Sequence, residues 1–196
     1  MLLKMRWILQ GPDPKDLYQV ANERLRLTSA QVKLLQRNWK LMRELNVGSL
    51  MFRELFNRHP EAAVLFRIGV CTGEQALLCP LVQQQALIIE DTVDMVLDDL
   101  AHGNDGLHAA LRQLGEHHVN FCGPDLRIEH WVALGQALIQ VIVRTVHNSS
   151  LGRLAQWRQI RLWRRLVFFL LSTLMAGHRR TGKQQNLPQI RYSWFV

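Results

Sequence analysis

Apolar residues recur at helical spacing along most of this chain. The clearest stripe consists of Leu107, Leu111 and Leu114 and ends on His118, with spacings of four, three and four residues. Such spacing puts all four side chains on one face of an α-helix. The alternation of β-branched and polar residues that is typical of strands is absent over any useful window. The pattern therefore predicts an all-α protein, with the imidazole of His118 on an apolar helix face.

Capping and turn-forming residues divide the stripes into separate helices. Thr28 or Ser29 is expected to cap the first helix, and the second is expected to end before Pro60, because the residue preceding a proline resists helical backbone angles. A later helix is predicted to begin near Pro80, and a Cys-Gly-Pro break at residues 122–124 ends the helix of His118. The other stripes are Val32, Leu35, Trp39 and Met42; Leu50, Met51, Leu55 and Phe56; Val82, Ile89, Val93, Val96 or Leu97, and Leu100; and Ile128, Trp131, Val132, Leu134, Leu138, Ile139 and Ile142.

Length and cysteine content narrow the class of protein. The 196 residues suit a single domain with one hydrophobic core. Three cysteines, at positions 71, 79 and 122, show neither metal-site spacing nor an even number, so reduced thiols in a cytoplasmic protein are expected. The most apolar run, residues 166–176, is too short to cross a bilayer. It is predicted to be a buried core helix, and no transmembrane segment is expected.

Charge is distributed unevenly along the chain. The formal net charge is +8, yet no Asp or Glu follows Glu129. Such a cationic surface favours an acidic partner, whether a protein, an anionic membrane or a nucleic acid. No helix-turn-helix, zinc-knuckle or stacking motif accompanies it, so we expect a solvated basic face without a dedicated nucleic-acid role. The basic residues concerned are Arg144, Arg153, Arg158, Arg161, Arg164, Arg165, Arg179, Arg180, Lys183 and Arg191.

The run LTSAQVKLLQRNWKLMRELNVGSLMFRELFNRHPEAAVLF, residues 27–66, contains a set of residues whose order and spacing are distinctive. Leu27 is followed twelve residues later by Trp39, and Gly48 precedes the segment FNRHPE, in which Pro60 lies six residues before Phe66. In this order and spacing the residues resemble the first three helices of animal globins. The resemblance implies that Gly48 lies at a close contact between helices. It also implies that Pro60 opens a short third helix and that Phe66 stacks on a haem.

The segment LGEHH, residues 114–118, resembles the proximal segment of globins, in which Leu-Gly is followed three residues later by the iron-ligating histidine. That alignment selects His118 and not His117. Trp163 resembles the tryptophan that begins the apolar face of the last globin helix. The resemblance covers residues 27–180 and leaves an N-terminal extension, 1–26, and a C-terminal tail, 181–196. It implies a globin fold of about seven to eight helices around a pocket for haem b.

The resemblance also implies the residues of the pocket. His118 would bind the iron through one nitrogen, while the other donates a hydrogen bond to a carbonyl one turn back, around Leu114. Gln85 would contact the gas ligand, although counting from either side also permits Gln84. A glutamine here departs from the histidine of many globins and puts a bis-histidyl resting state in doubt. The expected apolar wall consists of Ile89, Phe52, Phe66, Trp131 and Leu134.

Three functions follow from these expectations. The leading one is reversible binding of O2 and other diatomic gases for storage, transport or sensing, without enzymatic turnover. The alternative is a haem enzyme on the same scaffold, a nitric oxide dioxygenase or nitrite reductase, supplied with electrons by an external reductase at the basic C-terminal face. A third is a globin that has lost haem and serves as an interaction module. The presence of His118 argues against the third.

Overall fold

The structure, a computed structural model, describes residues 25–103 and 106–182. Within those ranges the regular elements are helices and no strand occurs, which confirms the all-α prediction. The expected N-terminal extension and C-terminal tail lie outside the described residues, apart from 25–26 and 181–182. The α-helices are α1 Ser29–Glu44, α2 Val47–Arg58, α3 Gly73–Ala76, α4 Pro80–His102, α5 Leu107–Cys122, α6 Ile128–His147 and α7 Arg153–Gly182, with 3₁₀ helices at Pro60–Phe66 and Gly123–Asp125.

The helix ends follow from local residue chemistry. Thr28 caps α1 with a capping box: its hydroxyl accepts from the backbone N–H of Gln31, and the Gln31 side chain accepts from the backbone N–H of Thr28. Helix α2 ends before His59, and Pro60 opens the 3₁₀ helix that follows. Helix α4 begins at Pro80. Proline is favoured at the first helical position because an N–H there would have no partner within the helix. These three predicted boundaries are confirmed.

Helices α2 and α4 cross at Gly48. A Cβ atom on this residue would lie 2.4 Å from the carbonyl oxygen of Ala86, so the two backbones meet where a side chain is missing. The backbone N–H of Gly48 donates to Oε1 of buried Glu90 at 2.7 Å, and Arg43 of α1 approaches the other carboxylate oxygen at 3.5 Å. A carboxylate from α4 thus satisfies a free N–H at the start of α2. The expectation of a close helix contact at Gly48 is confirmed.

Helices α5 and α7 are also in backbone contact. A Cβ atom on Gly115 would lie 2.0 Å from the carbonyl oxygen of Leu174, and one on Gly177 would lie 2.0 Å from that of Arg112. The helix that carries His118 therefore lies directly against the last helix. Most of the apolar run at 166–176 is buried within α7, which confirms a core helix there. No helix in the described part of the chain is long and apolar enough to span a membrane.

Helix α6 packs on α2 through an ion pair as well as apolar contacts. The carboxylate of buried Glu54 accepts two hydrogen bonds from the Arg144 guanidinium, at 2.7 and 3.3 Å, and also pairs with Arg58 one turn along α2. Arg144 was expected on the solvated basic face. Arg144 is indeed exposed, but it also pairs with a carboxylate 90 residues earlier in the chain, a contact that the sequence pattern did not predict.

Candidate functional site

The imidazole of His118 has a defined orientation on α5. Its ring is partly buried, whereas the neighbouring side chain of His117 is exposed. Nδ1 lies 2.8 Å from the carbonyl oxygen of Leu114. A carbonyl oxygen only accepts, so Nδ1 carries the proton and donates it. The expected bond to Leu114 is therefore present, and Nε2 makes no hydrogen bond to any residue that the structure describes.

The surroundings of His118 favour its neutral form. Burial lowers the pKa of the imidazole below its ordinary value of 6.5, since a charged ring loses hydration there. The bond to the Leu114 carbonyl opposes this effect on the pKa, and the nearby His117 adds to it. A neutral imidazole with its proton on Nδ1 presents the lone pair of Nε2. This is the form in which histidine binds a metal.

Trp131 of α6 packs against His118. The two ring centroids lie 5.1 Å apart with an interplanar angle of 60°. The indole N–H of Trp131 donates to Nδ1 of His178 on α7 at 3.2 Å. Sequence analysis placed Trp131 in the pocket wall but gave no reason to pair it with His178, which lies 47 residues further along the chain. The site thus contains a histidine that the sequence did not reveal.

Two other predicted wall residues, Phe52 and Phe66, are in contact with each other. Phe52 of α2 is buried, and Phe66 at the end of the 3₁₀ helix is partly buried. Their rings meet edge to face with centroids 5.4 Å apart, and Phe56 meets Phe66 in the same way at 5.5 Å. Such edge-to-face geometry is favourable between aromatic quadrupoles. The cluster fixes Phe66 on the 3₁₀ helix that Pro60 opens.

Burial distinguishes the two glutamines of α4. Gln85 is partly buried, whereas Gln84 is exposed. Of the two, Gln85 is therefore the residue that lies closer to the core. The buried residues of α4 nevertheless include Ala86 and Glu90, whereas Gln85 and Ile89 are only partly buried. The crossing with α2 accounts for this burial, because the backbone of Ala86 lies against Gly48 and Glu90 accepts the hydrogen bond from the Gly48 N–H.

The predicted residues fall into two contacting groups, Phe52 with Phe66 and His118 with Trp131. Ile89 and Leu134 join the same hydrophobic core as partly buried members. No group of three or more His, Cys, Asp or Glu side chains in the described residues is placed to hold a metal ion. A haem takes four ligands from its own porphyrin and needs only one axial side chain. That finding therefore neither supports nor excludes a haem.

A surface cleft between α1 and α4 has charged side chains on its rim. Arg43 of α1 pairs with Asp94 of α4 within the cleft, and also with Asp91, which does not line it. None of the predicted site residues belongs to it. Its charged rim is unsuited to a flat apolar macrocycle. The cleft is lined by Gln36, Trp39, Lys40, Arg43, Glu44, Asp94, Met95, Leu97 and Asp98.

No protein-family model matches this chain. No curated protein matches it either. The function of the chain is therefore inferred from the geometry around His118 and its neighbours.

Proposed function

We propose that this chain is a haem-binding globin that binds O2 reversibly, with His118 as the axial ligand of haem b. The observation that carries the proposal is the hydrogen bond from Nδ1 of His118 to the Leu114 carbonyl at 2.8 Å. This bond fixes the tautomer and the ring plane and leaves the Nε2 lone pair available. Partners of this kind orient metal-binding histidines and increase their basicity. His118 therefore has the donor chemistry that a haem requires.

Haem iron, when bound, supplies a coordination position for a small diatomic gas. The chain's own residues would set the conditions around it. Phe52, Phe66 and Trp131 present apolar rings that exclude water, and the partly buried amide of Gln85 offers an N–H donor to a polar ligand. Glutamine does not ionise near neutral pH. It would hold the gas by hydrogen bonding without competing strongly for the iron.

The packing of the helices also supports the globin fold. The close crossing of α2 and α4 at Gly48 and the 3₁₀ helix opened by Pro60 lie where the resemblance to globins expects them. Helix α5, which carries His118, packs on α7, and α6 packs on both α2 and α7. We propose that these contacts form the globin arrangement around a pocket bounded by α4 and α5.

Absorption spectroscopy of the purified full chain tests the proposal. Haem added to the apoprotein should give one equivalent of bound cofactor with a sharp Soret band, and the reduced protein should form O2 and carbon monoxide complexes. A folded, helical protein without a Soret band would overturn haem binding and favour the interaction module. Catalytic consumption of nitric oxide or nitrite with a reductase, in place of stoichiometric O2 binding, would favour the enzyme.

A further inference from the structure

The first half of α7 has an unusual outward face. Its buried side is formed by Leu162, Trp163 and Leu166. The opposite side contains Leu154 and Trp157, with exposed fractions of 62% and 51%. Between and beside them lie five arginines. Arg153, Arg158 and Arg161 are exposed, and Arg164 and Arg165 are partly buried. Together with Leu154 and Trp157 we call these five arginines the α7 basic face.

Among the described residues, no acidic side chain neutralises the charges of the α7 basic face. No salt bridge joins any of its five arginines to an acidic side chain of the residues that the structure describes. Arg161 lies over the ring of Trp157, with its guanidinium carbon 5.3 Å from the ring centroid. Arg165 donates to the backbone carbonyl of Arg26 at 2.9 Å, a contact that leaves its charge in place. The face therefore combines positive charge with exposed apolar side chains.

The α7 basic face precedes the part of α7 that contacts the helix of His118. Helix α7 meets α5 at Leu174 and Gly177. With a rise of about 1.5 Å per residue, Leu174 lies roughly 25 Å along the helix axis from Trp157 and about 14 Å from Arg165, the nearest residue of the face. The exposed apolar side chains Leu154 and Trp157 therefore lie at the end of the face that is farther from α5.

We infer that the α7 basic face binds anionic lipid membranes as a peripheral contact. Its guanidinium groups would bind lipid phosphates and carboxylates, while Trp157 and Leu154 enter the headgroup layer, which indole rings favour. An anionic bilayer matches the sign of the charge and provides an apolar phase beside it. A nucleic-acid backbone offers no such phase to Leu154. An acidic protein would need a groove shaped to a convex helix flank, whereas a bilayer needs none.

Co-sedimentation of the full chain with vesicles tests this inference, in the apo form and with haem. The chain should bind vesicles of phosphatidylcholine mixed with phosphatidylserine, bind phosphatidylcholine alone far more weakly, and dissociate at high salt. Each unit of charge near an anionic surface is worth about fivefold in affinity. The double reversal Arg158→Glu with Arg161→Glu should therefore weaken binding by roughly a hundredfold or more. Trp157→Ala should weaken it without any change in charge.

The matched control is Lys33→Glu with Arg37→Glu on α1. Both side chains are exposed, and both lie more than about 100° around the helix from Trp39, the residue that meets Trp163 of α7. This pair makes the same change in net charge and should retain most of the binding. Equal loss in the control, or no binding of the unmodified chain to phosphatidylserine vesicles at low salt, would overturn the inference. Binding to polyglutamate or duplex DNA without vesicle binding would overturn it in favour of an acidic protein or a nucleic acid.

Discussion

The indole nitrogen of Trp131 lies 3.2 Å from Nδ1 of His178, and this bond connects α6 to α7 beside His118. The indole N–H can only donate, so His178 accepts with an unprotonated Nδ1. Because the Trp131 ring also contacts His118, three helices hold the candidate iron ligand in place. The orientation of His118 therefore depends on a side chain of α7 as well as on α5.

Replacing His118, but not the adjacent His117, should weaken haem retention. His118→Ala removes the only imidazole of the pair that is turned inward and held by the Leu114 carbonyl, so haem should be lost or bound very weakly. His117→Ala changes an exposed side chain and should leave haem bound. Soret absorbance after gel filtration measures both. Loss of haem in His117→Ala alone would show that the ligand is one residue earlier.

The two glutamines of α4 should differ in their effect on O2 release. Gln85→Leu removes a partly buried donor to the gas, and a hydrogen bond of this kind is worth about 1 kcal/mol, or roughly fivefold in the O2 dissociation rate. Gln84→Leu alters an exposed residue and should leave that rate unchanged. Stopped-flow displacement of O2 by carbon monoxide measures the rates. An increase confined to Gln84→Leu would move the distal role to that residue.

Stability of the apoprotein should fall in acid because of His178. Burial lowers the pKa of its imidazole below 6.5. As the pH drops below 6.5, the unfolded chain takes up a proton that the folded chain resists, so stability present above 6.5 is progressively lost. Protonation of Nδ1 would also break the bond from Trp131. In urea unfolding at a series of pH values, His178→Gln should therefore lose less stability in acid than the unmodified chain.

The control for this prediction is His147→Gln at the exposed C-terminal end of α6. It makes the same chemical change away from Trp131 and should retain the pH dependence of the unmodified chain. The prediction would be contradicted if His178→Gln lost as much stability in acid as the unmodified chain. A smaller loss in His147→Gln would then assign the effect to His147.

A methyl group at Gly115 should destabilise the fold. Its Cβ atom would lie 2.0 Å from the backbone carbonyl of Leu174, and backbone cannot rotate away as a side chain can. Gly115→Ala should cost about 1–3 kcal/mol of unfolding free energy and loosen the helix that carries His118. Gly69→Ala, where a Cβ atom meets nothing within 4 Å, is the control and should be close to neutral. Equal stability of the two variants by urea unfolding would contradict the close α5–α7 contact.

The sequence by itself determined the features that depend on near neighbours. The cap at Thr28, the proline starts at Pro60 and Pro80 and the bond from His118 to Leu114 involve groups at most four residues apart. Such groups meet whenever the local helix forms, so residue spacing was sufficient to predict them. The inward direction of His118 followed in the same way, from the apolar stripe on which it lies.

Only the tertiary structure decided which distant groups meet. Arg144 was predicted on the basic face, and the fold also pairs it with Glu54. Glu90 of α4 accepts a hydrogen bond from Gly48 at the start of α2. His178 accepts one from Trp131. Nothing along the chain links the members of either pair. Helix periodicity gives the direction of a side chain relative to its own axis and carries no information about which helix lies opposite. That choice depends on how the helices pack, as at the glycines where their backbones touch.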